Sequence, residues 1–141
     1  MIRVYIYSFL IFFFAGCSVP TKQWPGENRS YLWTAMVAAA KTPDYSSDDP
    51  RKRWVVIEND VDVNTKLSRI IVKRTLSRSL KLPLQVEQID NRDWIFIITL
   101  LPKTMPTIAF DVPEAQLIPV RSLDEAERYF SQVDAILNLP E

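Results

Sequence analysis

Trp94 to Leu101, WIFIITLL, is apolar at every position but Thr99. A short run of this kind reads as a strand, and one without alternation belongs at the centre of a sheet with both faces covered. The fold must therefore be built around a sheet. Hydrophobic residues make up 48% of the 141 positions and charged residues 24%, the balance of a single packed domain.

The other elements follow from period and punctuation. Ser30 is placed as the N-cap of a helix through Lys41, with Leu32, Trp33, Met36, Val37 and Ala40 on one face and Pro43 beyond its end. Pro43 to Arg53 is a charged loop, acidic first and then basic. RWVVIENDVDV is rich in β-branched residues and reads as a strand running into a helix cap near Asp62 or Asn64. Lys66 to Leu80 is expected as a second helix, because Leu67 and Ile71, then Val72, Leu76 and Leu80, form two i+4 rows.

LQVEQID and WIFIITLL are expected as two strands of a hairpin joined by the DNRD turn, with Asn91 able to adopt a left-handed conformation. TIAFDV supplies a further strand, and Pro113 and Pro119 confine Ala115 to Val120 to an edge or an irregular segment. The last helix opens with a capping box at Ser122 and Glu125 and buries Leu123, Ala126, Phe130, Val133 and Leu137. The expected class is α+β, a mainly antiparallel sheet of three to four strands with about three helices.

The N-terminus carries a different signal. Arg3 precedes an uncharged, mostly apolar run from Val4 to Ala15, shorter than the ~20 residues a spanning helix needs. Phe14-Ala15-Gly16-Cys17 then resembles the lipobox of bacterial lipoproteins, although Phe14 stands where Leu, Val or Ile is commoner. The resemblance implies removal of residues 1–16 and acylation of Cys17. Because Ser18 rather than Asp follows, it also implies an outer-membrane location with the domain facing the periplasm. Residues 17–29 are then expected as the lipidated cysteine and a flexible tether, and 30–141 as one domain. Trp24 in that tether is expected to dock on the domain's own surface or at the lipid interface.

Much chemistry is excluded by what the chain lacks. There is no histidine and one cysteine, so His-dependent triads, Cys-based metal clusters and internal disulfides are absent. Gly16 and Gly26 are the two glycines, which leaves no phosphate-cradling loop for a nucleotide. Asp60-x-Asp62-x-Asn64 begins like a calcium loop, but Thr65 and Ile71 stand where its glycine and bidentate acid belong. No metal, cofactor or catalytic residue is assigned, and no enzyme activity is expected.

Seventeen basic and seventeen acidic residues cancel, so the chain has no general field for nucleic acid. The charges are nevertheless separated. Arg51 to Lys81 contains Arg51, Lys52, Arg53, Lys66, Arg69, Lys73, Arg74, Arg78 and Lys81, whereas the last thirty residues are acidic. Arg69, Ile70, Lys73, Arg74 and Arg78 are the candidate partner-binding residues, read as an exposed basic face of the second helix ringing Ile70. These features suit a non-catalytic accessory of an envelope machine such as a secretion, pilus or lipopolysaccharide-transport complex. An immunity or inhibitor lipoprotein acting on a toxin or lytic enzyme is the alternative.

Overall fold

The computed structural model describes residues 18–113 and 119–140, the side chains of Pro119 and Val120 excepted. Residues 1–17, on which the expected signal peptide and lipidated Cys17 fall, and residues 114–118 lie outside the described residues. The protein is α+β, as the pattern predicts; the described residues form one open antiparallel sheet of five strands with two helices, rather than the three to four strands and about three helices expected. In chain order these are β1 (Thr21–Gln23), α1 (Arg29–Lys41), β2 (Val55–Asn64), β3 (Arg69–Leu80), β4 (Gln88–Leu101), β5 (Thr107–Asp111) and α2 (Pro119–Leu137). The strands lie in the order β1-β5-β4-β3-β2. Among the described residues no helix is long and apolar enough to cross a membrane.

Three expectations are corrected. Lys66 to Leu80 is not a helix: Thr65 to Ser68 form a turn, and β3 follows. Val72, Leu76 and Leu80 are four apart, a spacing that is one turn of helix and also an even number of strand positions. The β-branched Ile70, Ile71, Val72 and Thr75 favour the pleated alternative. DNRD is not a turn but the middle of β4, and the left-handed residues of the flanking turns are Ser68 and Leu84. Residues 18–29 are not a free tether: Thr21 to Gln23 pair with β5, and Trp24 is buried. The Trp24 indole meets Phe130 edge-to-face at 5.8 Å and donates from Nε1 to Asp134 at 2.7 Å, so it docks on its own domain.

Even-numbered residues of β3 and β4 face the helices. Ile70, Val72, Phe96, Ile98 and Leu100 form the core with Ile108 and Phe110 of β5, under Leu32, Met36 and Ala39 of α1 and Ala126, Tyr129 and Val133 of α2. The Tyr129 hydroxyl donates to the Met36 carbonyl at 2.9 Å and ties the two helices together. Among the described residues no helix lies over the other sheet face, and Ile71, Ile95 and Ile97 there are half-buried, so within them β4 is central in the sheet but covered on one side. Asp60 and Asp62 are exposed on β2 as extended backbone, which leaves no calcium loop. The helix starts also shift. Asn28 caps α1 by accepting from Ser30 N at 2.8 Å, while α2 begins at Pro119, leaving Leu123 exposed within it.

Candidate functional site

The five residues singled out from the sequence do not form one face. Ile70 is 0% exposed in the core and Arg74 is 3% exposed beneath α1 and the loop after it. Arg69 and Lys73 are exposed on β3 positions facing the uncovered side of the sheet. Period-2 geometry explains this division: in a strand, residues 70, 74 and 78 point one way and 69 and 73 the other. Arg78 alone reaches the concave region of interest.

That region is a cleft of about 630 Å³ at the end of the sheet where the helices stop covering it. Its floor includes Leu76 and Arg78 of β3 and Arg92 of β4, and its walls are the Asp44 to Trp54 loop and the first turns of α2. Short polar turns fix the loop. Ser46 N donates to Asp44 Oδ1 at 2.8 Å, Arg51 N donates to Asp49 Oδ1 at 2.9 Å, and Lys52 N donates to the Asp49 carbonyl at 2.9 Å. Both carboxyls are held below the usual aspartate range, Asp44 first by the Ser46 hydroxyl and Asp49 first by the Arg51 backbone N–H.

Beneath the cleft lies a closed polar cluster. Tyr45 OH donates to Glu125 Oε1 at 2.7 Å and accepts from Arg74 Nη1 at 2.9 Å. Arg74 also donates from Nε to Asn59 Oδ1 at 2.8 Å and from Nη2 to the Ala40 carbonyl at 2.9 Å. Arg128 grips Glu125 Oε1 from Nε at 2.8 Å and Nη2 at 2.6 Å. Burial, with the Glu125 charge beside it, raises the Tyr45 phenol well above the ordinary tyrosine value. Burial opposes the Arg128 charge, but Glu125, Tyr45 and Asp44 together outweigh it and hold its pKa above the ordinary arginine value. The Tyr45 hydroxyl thus acts as a donor to Glu125 and ties the loop to α2.

At the cleft surface the pattern reverses. Arg78 is paired with Asp90 through Nε at 3.0 Å and Nη2 at 2.8 Å. The Arg92 side chain makes no hydrogen bond or ion pair among the described residues. Its guanidinium lies 4.5 Å from the Trp54 ring centroid and 5.1 Å from that of Trp94, contacts that position the fork and leave its donors unsatisfied. Burial, then the nearby Arg121 charge, lowers its pKa, and Arg78 adds to that effect against Asp90. Arg121 and the Lys52 side chain also lack a polar partner among the described residues. Asp124 and Glu127 line the cleft too, while Arg92 lies near enough to Arg121 and Arg78 for their charges to act on it.

Guanidinium forks match carboxylate and phosphate oxygens in pairs. A cluster of like charges that repel one another gains most from an anion placed between them. The sequence reading reached Arg78 and named the Pro43 to Arg53 loop, but not Arg92, Arg121, Trp54 or Arg128. Arg92 sits inside the DNRD stretch that reads as a turn, and strand register alone brings it beside Arg78. Comparison with protein-family models, curated proteins and solved structures finds no match.

Proposed function

We propose that this protein is a lipid-anchored, non-catalytic binding module of the bacterial envelope, held on the outer membrane through acylated Cys17 with its domain in the periplasm. Its arginine cleft receives an acidic segment of an envelope protein during assembly of a larger machine. The observation that carries this reading is Arg92, a half-buried guanidinium positioned by two tryptophans beside Arg78 and Arg121 with no acceptor of its own among the described residues. The rigid, fully paired cluster beneath it supports a recognition surface better than a reacting one, since its tyrosine is fixed as a proton donor. The lipobox supports the anchor.

The test uses the full chain expressed in a bacterial envelope. Wild type should incorporate a clickable palmitate and stay with the membrane fraction, and Cys17→Ser should lose both. A partner co-purifying in detergent should be released by added salt, because exposed charges are screened within ~8 Å at physiological ionic strength. Arg92→Glu combined with Arg121→Glu should lose that partner while remaining folded. Full partner retention by the folded double variant contradicts the cleft, and absence of label in wild type contradicts the anchor.

A further inference from the structure

The β3–β4 hairpin outruns the rest of the sheet. The last β2 rung is Val55 opposite Ser77, and the last β5 rung is Asp111 opposite Ile97. Beyond them Arg78, Ser79 and Leu80 pair only with Asp90, Ile89 and Gln88, and the chain then turns through Lys81 to Glu87. The arm should be a polar liability-free projection if it merely connected two strands. Instead Leu84 is 107% exposed, Val86 87% and Ile89 73%, with Leu82 also exposed.

The turn itself is built at a cost. Gln85 N donates to the Leu82 carbonyl, which makes Pro83 and Leu84 the central residues of a β-turn. Leu84 has φ 64°, in the left-handed region that a glycine at this position would adopt without strain. A branched apolar side chain thus occupies a strained site at the apex, where it touches nothing of its own domain. Strain retained at an exposed position points to a use for the side chain.

The direction of β1 says what that use is. Thr21 lies opposite Ala109 and Gln23 opposite Thr107, while β5 runs from Thr107 beside Leu101 to Asp111 beside Ile97. Traced backwards from Thr21, the chain therefore heads toward the arm's end of the sheet, and Phe110 N donates to the Pro20 carbonyl along that path. Ser18, the next residue after Cys17, is on this path. The level of Thr21 is that of Thr99, eleven residues from Gln88, so the first β1 rung and the start of the tip are roughly 37 Å apart along the sheet at ~3.4 Å per residue.

We infer that the Leu82–Val86 tip of the hairpin arm is a second membrane contact, which inserts its apolar side chains at the phospholipid interface of the bilayer that holds Cys17. The inference rests on the reading of Cys17 as a lipid anchor. Once the acyl chains hold the protein on the surface, a tip too small to bind alone meets the membrane at high effective concentration. Leu82, Leu84 and Val86 enter the acyl boundary and Lys81 keeps its ammonium among the phosphates. Two contacts rather than one fix the orientation of the domain, and with it the direction in which the arginine cleft faces.

The mature full chain offers a clean assay, because acylation consumes its one cysteine. Val86→Cys protein, purified from the envelope, is labelled with an environment-sensitive thiol dye and reconstituted into phospholipid vesicles. One dye per chain shows that Cys17 is blocked. The dye should then emit to the blue, be quenched by lipid-borne nitroxide and resist aqueous iodide. A dye at Thr104→Cys, in the loop at the opposite end, should show the reverse. Adding Leu84→Asp should return the Val86 dye to iodide. If the Val86 dye is as accessible to iodide as the Thr104 dye, with one dye per chain, the tip is not a membrane contact although the anchor stands. Two dyes per chain mean that Cys17 is free, and the anchor and this inference fall together.

Discussion

The two ends of the β3–β4 hairpin are made of the same two strands and live in different surroundings. At the inner end Ile70, Val72, Phe96, Ile98 and Leu100 pack in the apolar core beneath the two helices. At the outer end the same face carries Arg78 and Arg92, opens into the cleft and finishes in an exposed apolar tip. Burial of apolar area stabilises at about 25 cal/mol per Å², so the inner end holds the fold together. The outer end contributes little of that; Arg78 there is paired with Asp90, while the Arg92 and Arg121 side chains have no polar partner among the described residues, a division between a supporting scaffold and a surface with charge to offer.

The largest effect should come from the inner end. Phe96 packs at 5.3 Å from the Phe110 ring and 5.6 Å from Trp94, so Phe96→Ala should cost about 3–5 kcal/mol in denaturant unfolding. A loss below ~1 kcal/mol would show that this end is not what holds the domain. Next is the boundary between the ends. Arg74→Met keeps an apolar stem but removes the donors to Asn59 Oδ1 and Tyr45 OH, leaving Asn59 Nδ2 as the remaining donor to the Ala40 carbonyl, for a loss of about 3 kcal/mol.

Tyr45→Phe removes one hydroxyl and should cost about 1–2 kcal/mol near neutral pH. It also has a signature in pH. Because the folded-state pKa of Tyr45 is raised, its contribution is complete below the ordinary tyrosine value of ~10 and is lost as pH rises beyond it. Stability of the wild type should fall in alkali, and Tyr45→Phe should fall less steeply, as followed by thermal melts between neutral and strongly alkaline pH. An identical alkaline slope in both proteins would remove Tyr45 from the account. The smallest effect should be at the tip, where Leu84→Gly relieves a left-handed strain of ~1–2 kcal/mol but adds chain entropy, for a net gain of about 0.5 kcal/mol. A measurable loss would mean that Leu84 packs on the domain.

The inner end was largely legible in the sequence. Leu32 and Met36 of α1, Phe110 of β5 and Ala126, Phe130 and Val133 of α2 are core residues on elements whose periodicity or start signal identifies them. β3 was not, because its apolar residues fall at spacings common to both periods, and pairing with β2 and β4 decides between them. β1 could not be read at all: Thr-Lys-Gln has no apolar pattern, and its strand exists because β5 offers an edge and Trp24 fills a gap against Phe130. The cleft was legible only as a loop that changes sign from acid to base. Arg92 and Arg121 join it through register and helix docking, which no local pattern encodes.

Photo-crosslinking from Lys52, on the lip of the cleft, tests the division most directly. A photoreactive amino acid placed there in the full chain should yield a crosslinked envelope protein in living cells. The adduct should vanish in the Arg92→Glu, Arg121→Glu background while unfolding stability changes by less than about 1 kcal/mol, since Arg92 is half-buried and Arg121 exposed and neither belongs to the apolar core. An undiminished adduct in that background, or a double variant that unfolds, would contradict the claim that the outer end recognises and the inner end supports.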